Sequence, residues 1–125
     1  LIPKDLKYTK SHEWVKTEGE RVRVGITHHA QRELGDIVFV ELPPLGKKAR
    51  KGERMAAVES VKAVGTVYAP LSGEVVEVNT AVTNAPDLIN REPYGQGWLF
   101  VLKMDNPGEL ADLMDAAGYA ALIGG

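Results

Sequence analysis

The sequence predicts a mainly β domain, a sandwich or barrel carrying short peripheral helices and a C-terminal helix. Three observations predict it. Short runs rich in β-branched and aromatic residues recur at close spacing, and Pro and Gly punctuate them. Segment 21–26 alternates strictly, with Val22, Val24 and Ile26 on one face and Arg21, Arg23 and Gly25 on the other, as a half-buried strand does. The clearest 3.6-residue periodicity comes only at the end of the chain, in Leu110, Leu113, Met114 and Ala117. At 125 residues the chain suits a single domain spanning 1–125. Its core is expected over about 6–104 and its C-terminal helix over about 106–117.

Each element has a local reason. His12–Lys16 sets Trp14 among polar neighbours in a strand pattern. Thr27 caps a short helix over His28–Leu34, and Gly35 ends it. Ile37–Leu42 is dense enough in apolar residues to read as a strand buried on both sides, stopped by Pro43-Pro44. Arg54–Glu59 and Gly65–Ala69 are β-rich runs around a short centre. Pro70-Leu71-Ser72-Gly73 is a turn leading into Glu74–Val78. Ala85–Ile89 suggests one turn of helix, and Trp98–Met104 is the last strand. Asn106 is a good N-cap, Pro107 suits the first helical position, Glu109 favours the first turn, and Gly118 is expected to stop the helix. The predicted core comprises Val22, Val24, Ile26, Val38, Val40, Val58, Val67, Val75, Val76, Leu99 and Val101; Trp14 and Trp98 read either as core anchors, the favoured reading, or as part of a surface cleft.

Composition removes several functions. There is no cysteine, which excludes disulfides, thiolate zinc sites and a thiol nucleophile. Fifteen Lys and Arg against 17 Asp and Glu leave a net charge of −2, so no nucleic-acid footprint is expected. Lys47–Lys51 reads as a solvated loop or edge strand. No apolar run reaches the ~18 residues of a membrane span. The first residues resemble neither a signal peptide nor a transit segment, so a cytoplasmic protein or a mature organellar chain is expected.

Lys62 is the informative residue. If Arg54–Glu59 and Gly65–Ala69 pair as a hairpin, it lies near the tip, a long side chain on a rigid mount. That geometry suits a covalent attachment point which several enzymes must reach. A plain solvated lysine is the commonplace alternative.

Motifs along the chain supply the context. Glu59-Ser60-Val61-Lys62-Ala63 precedes Val67-Tyr68-Ala69-Pro70-Leu71-Ser72-Gly73-Glu74-Val75. Tyr8–Trp14, Val24–Thr27 and Pro93–Leu99 stand as further blocks, as do Ala30-Gln31 and Leu34–Pro43. In this order and spacing they resemble the H-protein family of the glycine cleavage system over roughly residues 6–104. The resemblance implies a hybrid barrel-sandwich of the lipoyl- and biotinyl-carrier type, with lipoic acid joined to Lys62. It implies a carrier with no catalysis of its own. The aminomethyl group of glycine would come from a pyridoxal-phosphate glycine decarboxylase and pass to a tetrahydrofolate-dependent aminomethyltransferase. Dihydrolipoamide dehydrogenase would then reoxidise the dithiol. A monomer meeting these enzymes in turn is expected, with no nucleic-acid or membrane partner.

The resemblance assigns further residues. Glu59, three before the lysine, and Gly73, eleven after it, match positions recognised by the lipoate-attaching enzyme. Glu13 matches a glutamate of the cleft that holds the loaded arm, where a carboxylate favours a cationic aminomethyl group. Two departures stand out. Gly65-Thr66 replaces the family's usual Ser-Asp, and His28-His29 replaces an acid followed by an aromatic or His. The missing aspartate leads to the expectation that the arm is held less tightly or that Glu13 compensates. The lack of cysteine leaves no protein thiol to exchange with the arm's sulfurs.

Rival readings are weaker. His12, His28 and His29 as metal ligands would place two adjacent histidines ~100° apart on a helix. Ser60 lacks the G-x-S-x-G elbow of a hydrolase. Biotin carriers flank their lysine with methionines, where this chain has Val61 and Ala63. Lipoyl domains of 2-oxoacid dehydrogenases carry an acid just before the lysine. An unmodified binding module, or a carrier that relays lipoyl groups to other carriers, remains open at this level.

Overall fold

The computed structural model describes residues 2–124. Its strands are β1 (Lys7–Tyr8), β2 (Glu13–Glu18), β3 (Arg21–Ile26), β4 (Ile37–Glu41), β5 (Lys48–Ala49), β6 (Arg54–Ser60), β7 (Val64–Tyr68), β8 (Gly73–Val78) and β9 (Phe100–Met104). They form a six-stranded sheet in the order β1-β2-β3-β9-β8-β5 and a three-stranded sheet β4-β6-β7. Every pairing between these strands is antiparallel. One core lies between the sheets: Val22, Val24 and Leu102 from the larger meet Val40, Val58 and Val67 from the smaller. The mainly β expectation is met.

Two residues assigned to the core leave it for one physical reason. Val38 is 54% exposed and Val76 is half-buried. Each is the extra residue of a β-bulge: Ile37 pairs with Ser60 and Phe39 with Glu59, while Val75 pairs with Leu102 and Glu77 with Val101. A bulge breaks the two-residue period, so strict alternation misplaces the inserted side chain. The bulge also puts Phe39 in solvent, so β4 is a half-exposed edge strand and not the doubly buried one expected of Ile37–Leu42.

The expected helix over 106–117 is two pieces. A 3₁₀ helix runs over Pro107–Asp112, capped by Asn106 Oδ1, which accepts from the Gly108 amide at 3.0 Å. Met114 then exchanges two backbone hydrogen bonds with Tyr8, each 2.8 Å, which pulls the chain out of helical geometry. Asp115 caps a new helix, Ala116–Leu122, by accepting from the Gly118 amide at 2.8 Å. Gly118 therefore opens this helix instead of stopping the previous one. Glu109 also does other work than capping: its carboxylate accepts from the Ser72 amide at 2.8 Å and from the Ser72 hydroxyl.

The helices before it are α1 (His28–Leu34), α2 (Ala81–Asn84) and α3 (Leu88–Arg91); Ala116–Leu122 is α4. Its Tyr119 is fully buried in a second cluster with Leu6, Tyr8 and Trp14. The Tyr8 and Tyr119 rings stack with centroids 4.8 Å apart. Burial pushes the Tyr119 phenol up to about 12. Trp14 lies over Gly25, its cross-strand partner, and donates through Nε1 to the Pro93 carbonyl at 2.8 Å. Trp98 is half-buried and carries the Arg23 guanidinium 4.3 Å above its ring.

A Cβ at position 25 would sit 2.6 Å from three atoms of the Trp14 indole. Gly25→Ala is expected to lower stability by about 1–3 kcal/mol, as overpacking does. Urea unfolding of the two proteins measures it; an unchanged midpoint would mean the indole has room to move.

Candidate functional site

The β6–β7 hairpin carries Lys62 at its tip. Glu59 pairs with Val64, and the Ser60 amide donates to the Ala63 carbonyl at 2.8 Å, so Val61-Lys62 is a two-residue loop. Such loops ordinarily use φ > 0. Here neither residue does; among the described residues His12 is the only non-glycine with positive φ. The Ser60 side chain closes the turn instead. Its hydroxyl accepts from the amides of Ala63 (3.0 Å) and Lys62 (3.3 Å) and reaches the Ala63 carbonyl at 3.2 Å. A second tie runs from the Val61 amide to the Asp36 carbonyl, 3.3 Å.

That second tie rests on a fixed platform. Thr27 caps α1 by accepting from the Ala30 amide, and Gly35 ends it at φ 85°, as the sequence predicts. Asn90 of α3 then clamps the junction into β4. It donates to the Gly35 carbonyl and the Gln31 side chain, each 2.9 Å, and accepts from the Ile37 amide at 2.9 Å. No local sequence signal marks Asn90, because its partners lie more than 50 positions away. The Lys62 side chain passes over this junction, its Cε 3.5 Å from where a Gly35 Cβ would stand. Lys62 is exposed, and Val61 and Val64 beside it are 74% and 62% exposed.

A cavity of about 260 Å³ opens between α1 and β7. Its apolar lining includes Ile26, Leu34, Val58 and Val67. Its polar groups are Ser11, His12, His29, Glu33 and Thr66. Gly65 belongs here: a Cβ would meet Leu34 Cδ1 at 3.0 Å, so this glycine lets α1 approach the hairpin. The His12 and His29 rings lie against each other at a tilt of 37°, centroids 4.8 Å apart. Burial, then the neighbouring His29, lowers the His12 pKa, while Glu33 opposes the shift. His12 Nδ1 and the Thr27 hydroxyl flank the Tyr119 hydroxyl at 2.8 and 2.7 Å, which joins the cavity to α4. His28 turns elsewhere, to Gln31 at 3.1 Å, so the three histidines do not converge.

The other candidate residues fall in different places. Glu13 is 1% exposed, and its carboxylate accepts from the hydroxyls of Thr9 and Ser11 and from the Tyr68 amide at 3.1 Å. It links β2 to the end of β7, across the two sheets. It lines a second cavity of about 380 Å³ with Tyr8, Tyr68 and Leu113, and Ser11 borders both spaces. Glu59 is half-buried in a row with Phe39 and Val64 on the outer face of the small sheet, next to the tip. Gly73 begins β8, past the end of β7 that lies away from Lys62. A Cβ there would stand 2.4 Å from the Lys103 carbonyl oxygen, so packing against β9 requires glycine.

The model of the family described as glycine cleavage H-protein matches residues 6–124. The chain belongs to that family. It is 53% identical over 122 residues to a glycine cleavage system H protein of Thermus thermophilus, covering 98% of this chain and 95% of that protein. The H protein of Laribacter hongkongensis is 53% identical over 124 residues, 98% of each. The crystal structure of the Mycobacterium marinum H protein superposes with a TM-score of 0.90 at 44% identity, over 98% of this chain and 99% of that one. The barrel-sandwich architecture and the lipoyl-carrier role in the glycine cleavage system extend to this chain with the family.

Ser60→Ala removes the acceptor for two tip amides. The Ala63 amide is expected to exchange hydrogen about five- to tenfold faster, the scale of one lost hydrogen bond of about 1 kcal/mol. Native-state exchange reads this, and unchanged protection would mean the backbone alone closes the turn.

Proposed function

We propose that Lys62 is the residue that carries the lipoyl group, joined by an amide to its Nζ. The observation that carries this reading is the mount: an exposed lysine on a two-residue tip, tied at Ser60 and Asp36, with its side chain directed over Gly35 beside the cavity. A rigid backbone under a long free side chain lets one group visit several separate active sites. The lining also fits the group. Leu34, Val58 and Val67 suit a hydrocarbon chain and a dithiolane ring, and the polar residues suit a charged cargo.

Joined to Lys62 Nζ, a dithiolane would supply reversible disulfide–dithiol chemistry and a sulfur able to carry an aminomethyl group. The chain's own residues hold, expose and shield. The hairpin presents Lys62 to glycine decarboxylase, aminomethyltransferase and dihydrolipoamide dehydrogenase in turn, and the chain performs no catalysis itself. Amide formation removes the lysine charge. The Phe39–Glu59–Val64 row beside the tip is the first surface a lipoate-attaching enzyme meets, so Glu59 acts there as a charge cue. Gly73 contributes through close packing of β8 on β9 in the larger sheet and not by contact near the lysine. The named relatives are bacterial, which favours a carrier in a bacterial cytoplasm.

Intact-mass measurement of the protein from its own host tests the assignment. The native chain is expected to show one lipoyl increment, absent from Lys62→Arg. A biotin increment, or no increment, would overturn it.

A further inference from the structure

We infer that this chain has a ligand site apart from Lys62, for a small organic carboxylate with an apolar body, gripped by Arg32 and His28. A cavity of about 290 Å³ lies between α1, α4, the N-terminal segment and Tyr94. That is near the small end of the ~300–1,000 Å³ range of ligand sites. One wall carries donors: His28, His29 and Arg32 of α1. The other is Ile2, Ile123 and the rings of Tyr94 and Tyr119. Among the described residues no carboxylate lines it.

Two groups on the donor wall are unspent. Arg32 is exposed and has no ion pair or hydrogen bond among the described residues. Its planar fork matches a carboxylate, which it can hold by two parallel hydrogen bonds. His28 lies four residues before Arg32 and so shares its face of the helix. Asn90 donates to the Gln31 side-chain oxygen, which turns the Gln31 amide nitrogen to His28 Nδ1 at 3.1 Å. The neutral His28 ring therefore keeps its proton on Nε2, a donor with no partner among the described residues. A protonated His28 beside Arg32 would be a like-charge pair that an anion relieves. His29 is committed elsewhere, its ring against His12 and its Nε2 toward Glu33 at 3.8 Å.

The donor wall is particular to this chain. His28 stands where the family's usual pattern has an acid, and that replacement leaves the cavity without a negative charge. The opposite wall sets the rest of the ligand. Ile2 and Ile123 are only half-buried, and a bare inorganic anion would leave them in contact with water.

The test titrates the full chain with phenylacetate and with hexanoate, followed by amide NMR. Saturable shifts centred on His28, Arg32 and Ile123 are expected. Phenylacetamide, which lacks the charge, and inorganic phosphate, which lacks the body, are each expected to bind about tenfold more weakly, the scale of one charge-assisted hydrogen bond or one buried apolar group. Arg32→Gln is expected to weaken phenylacetate about tenfold, and Arg32→Lys, which keeps the charge without the fork, less. His28→Asp, which puts an acid back, is expected to remove saturation. Unmoved resonances in the sheets establish that each variant is folded. No saturable shift with either acid, equal binding of phenylacetamide or phosphate, or Arg32→Gln or His28→Asp titrating like the native chain would overturn the inference.

Discussion

The Ser60 hydroxyl is the constraint on which the functional end of the molecule depends. A two-residue hairpin tip ordinarily needs glycine or asparagine to reach φ > 0. Val61 and Lys62 are neither, and Ser60 closes the turn by accepting the amides that a left-handed backbone would otherwise have aligned. The tip can thus hold a lysine flanked by valine and alanine. The Asp36 tie and the Asn90 clamp extend that order to α1. Lysine, helix end and cavity become one mounted unit.

Buried polar groups do comparable work deeper down. Glu13 would be costly to bury alone, and three donors offset that cost while joining the two sheets near the cavity. Tyr119 plays the same part for the C-terminal helix, meeting Thr27 at the N-cap of α1 and His12 at its strained turn. A cap, a positive-φ residue and a terminal helix are therefore coupled beside the cavity. The two tyrosines and Trp14 supply the apolar burial around them.

How much of this was legible in the sequence follows from the range of each interaction. α1 was readable to the residue, because Thr27 and Gly35 act within one turn of it. The hairpin and Lys62 were readable because short β-rich runs bracket them. The bulges at Val38 and Val76 were not, since only pairing with a distant strand reveals the extra residue. The break in the C-terminal helix was hidden for the same reason: Tyr8 draws Met114 out of it from more than 100 positions away. The cavity was half legible. Thr66 drew notice as a departure from the family, whereas Glu33 looked like an ordinary exposed helix residue until folding set it on the wall.

A rigid backbone at the lysine under a free side chain is the central claim, and amide ¹⁵N relaxation on the lipoylated chain measures that division directly. Order parameters of about 0.85 at Val61, Lys62 and Ala63, equal to those of rigid backbone, are the predicted result. Values below about 0.6 at these three residues would contradict it, because the tip would then be a flexible loop and the arm's reach would owe nothing to its mount.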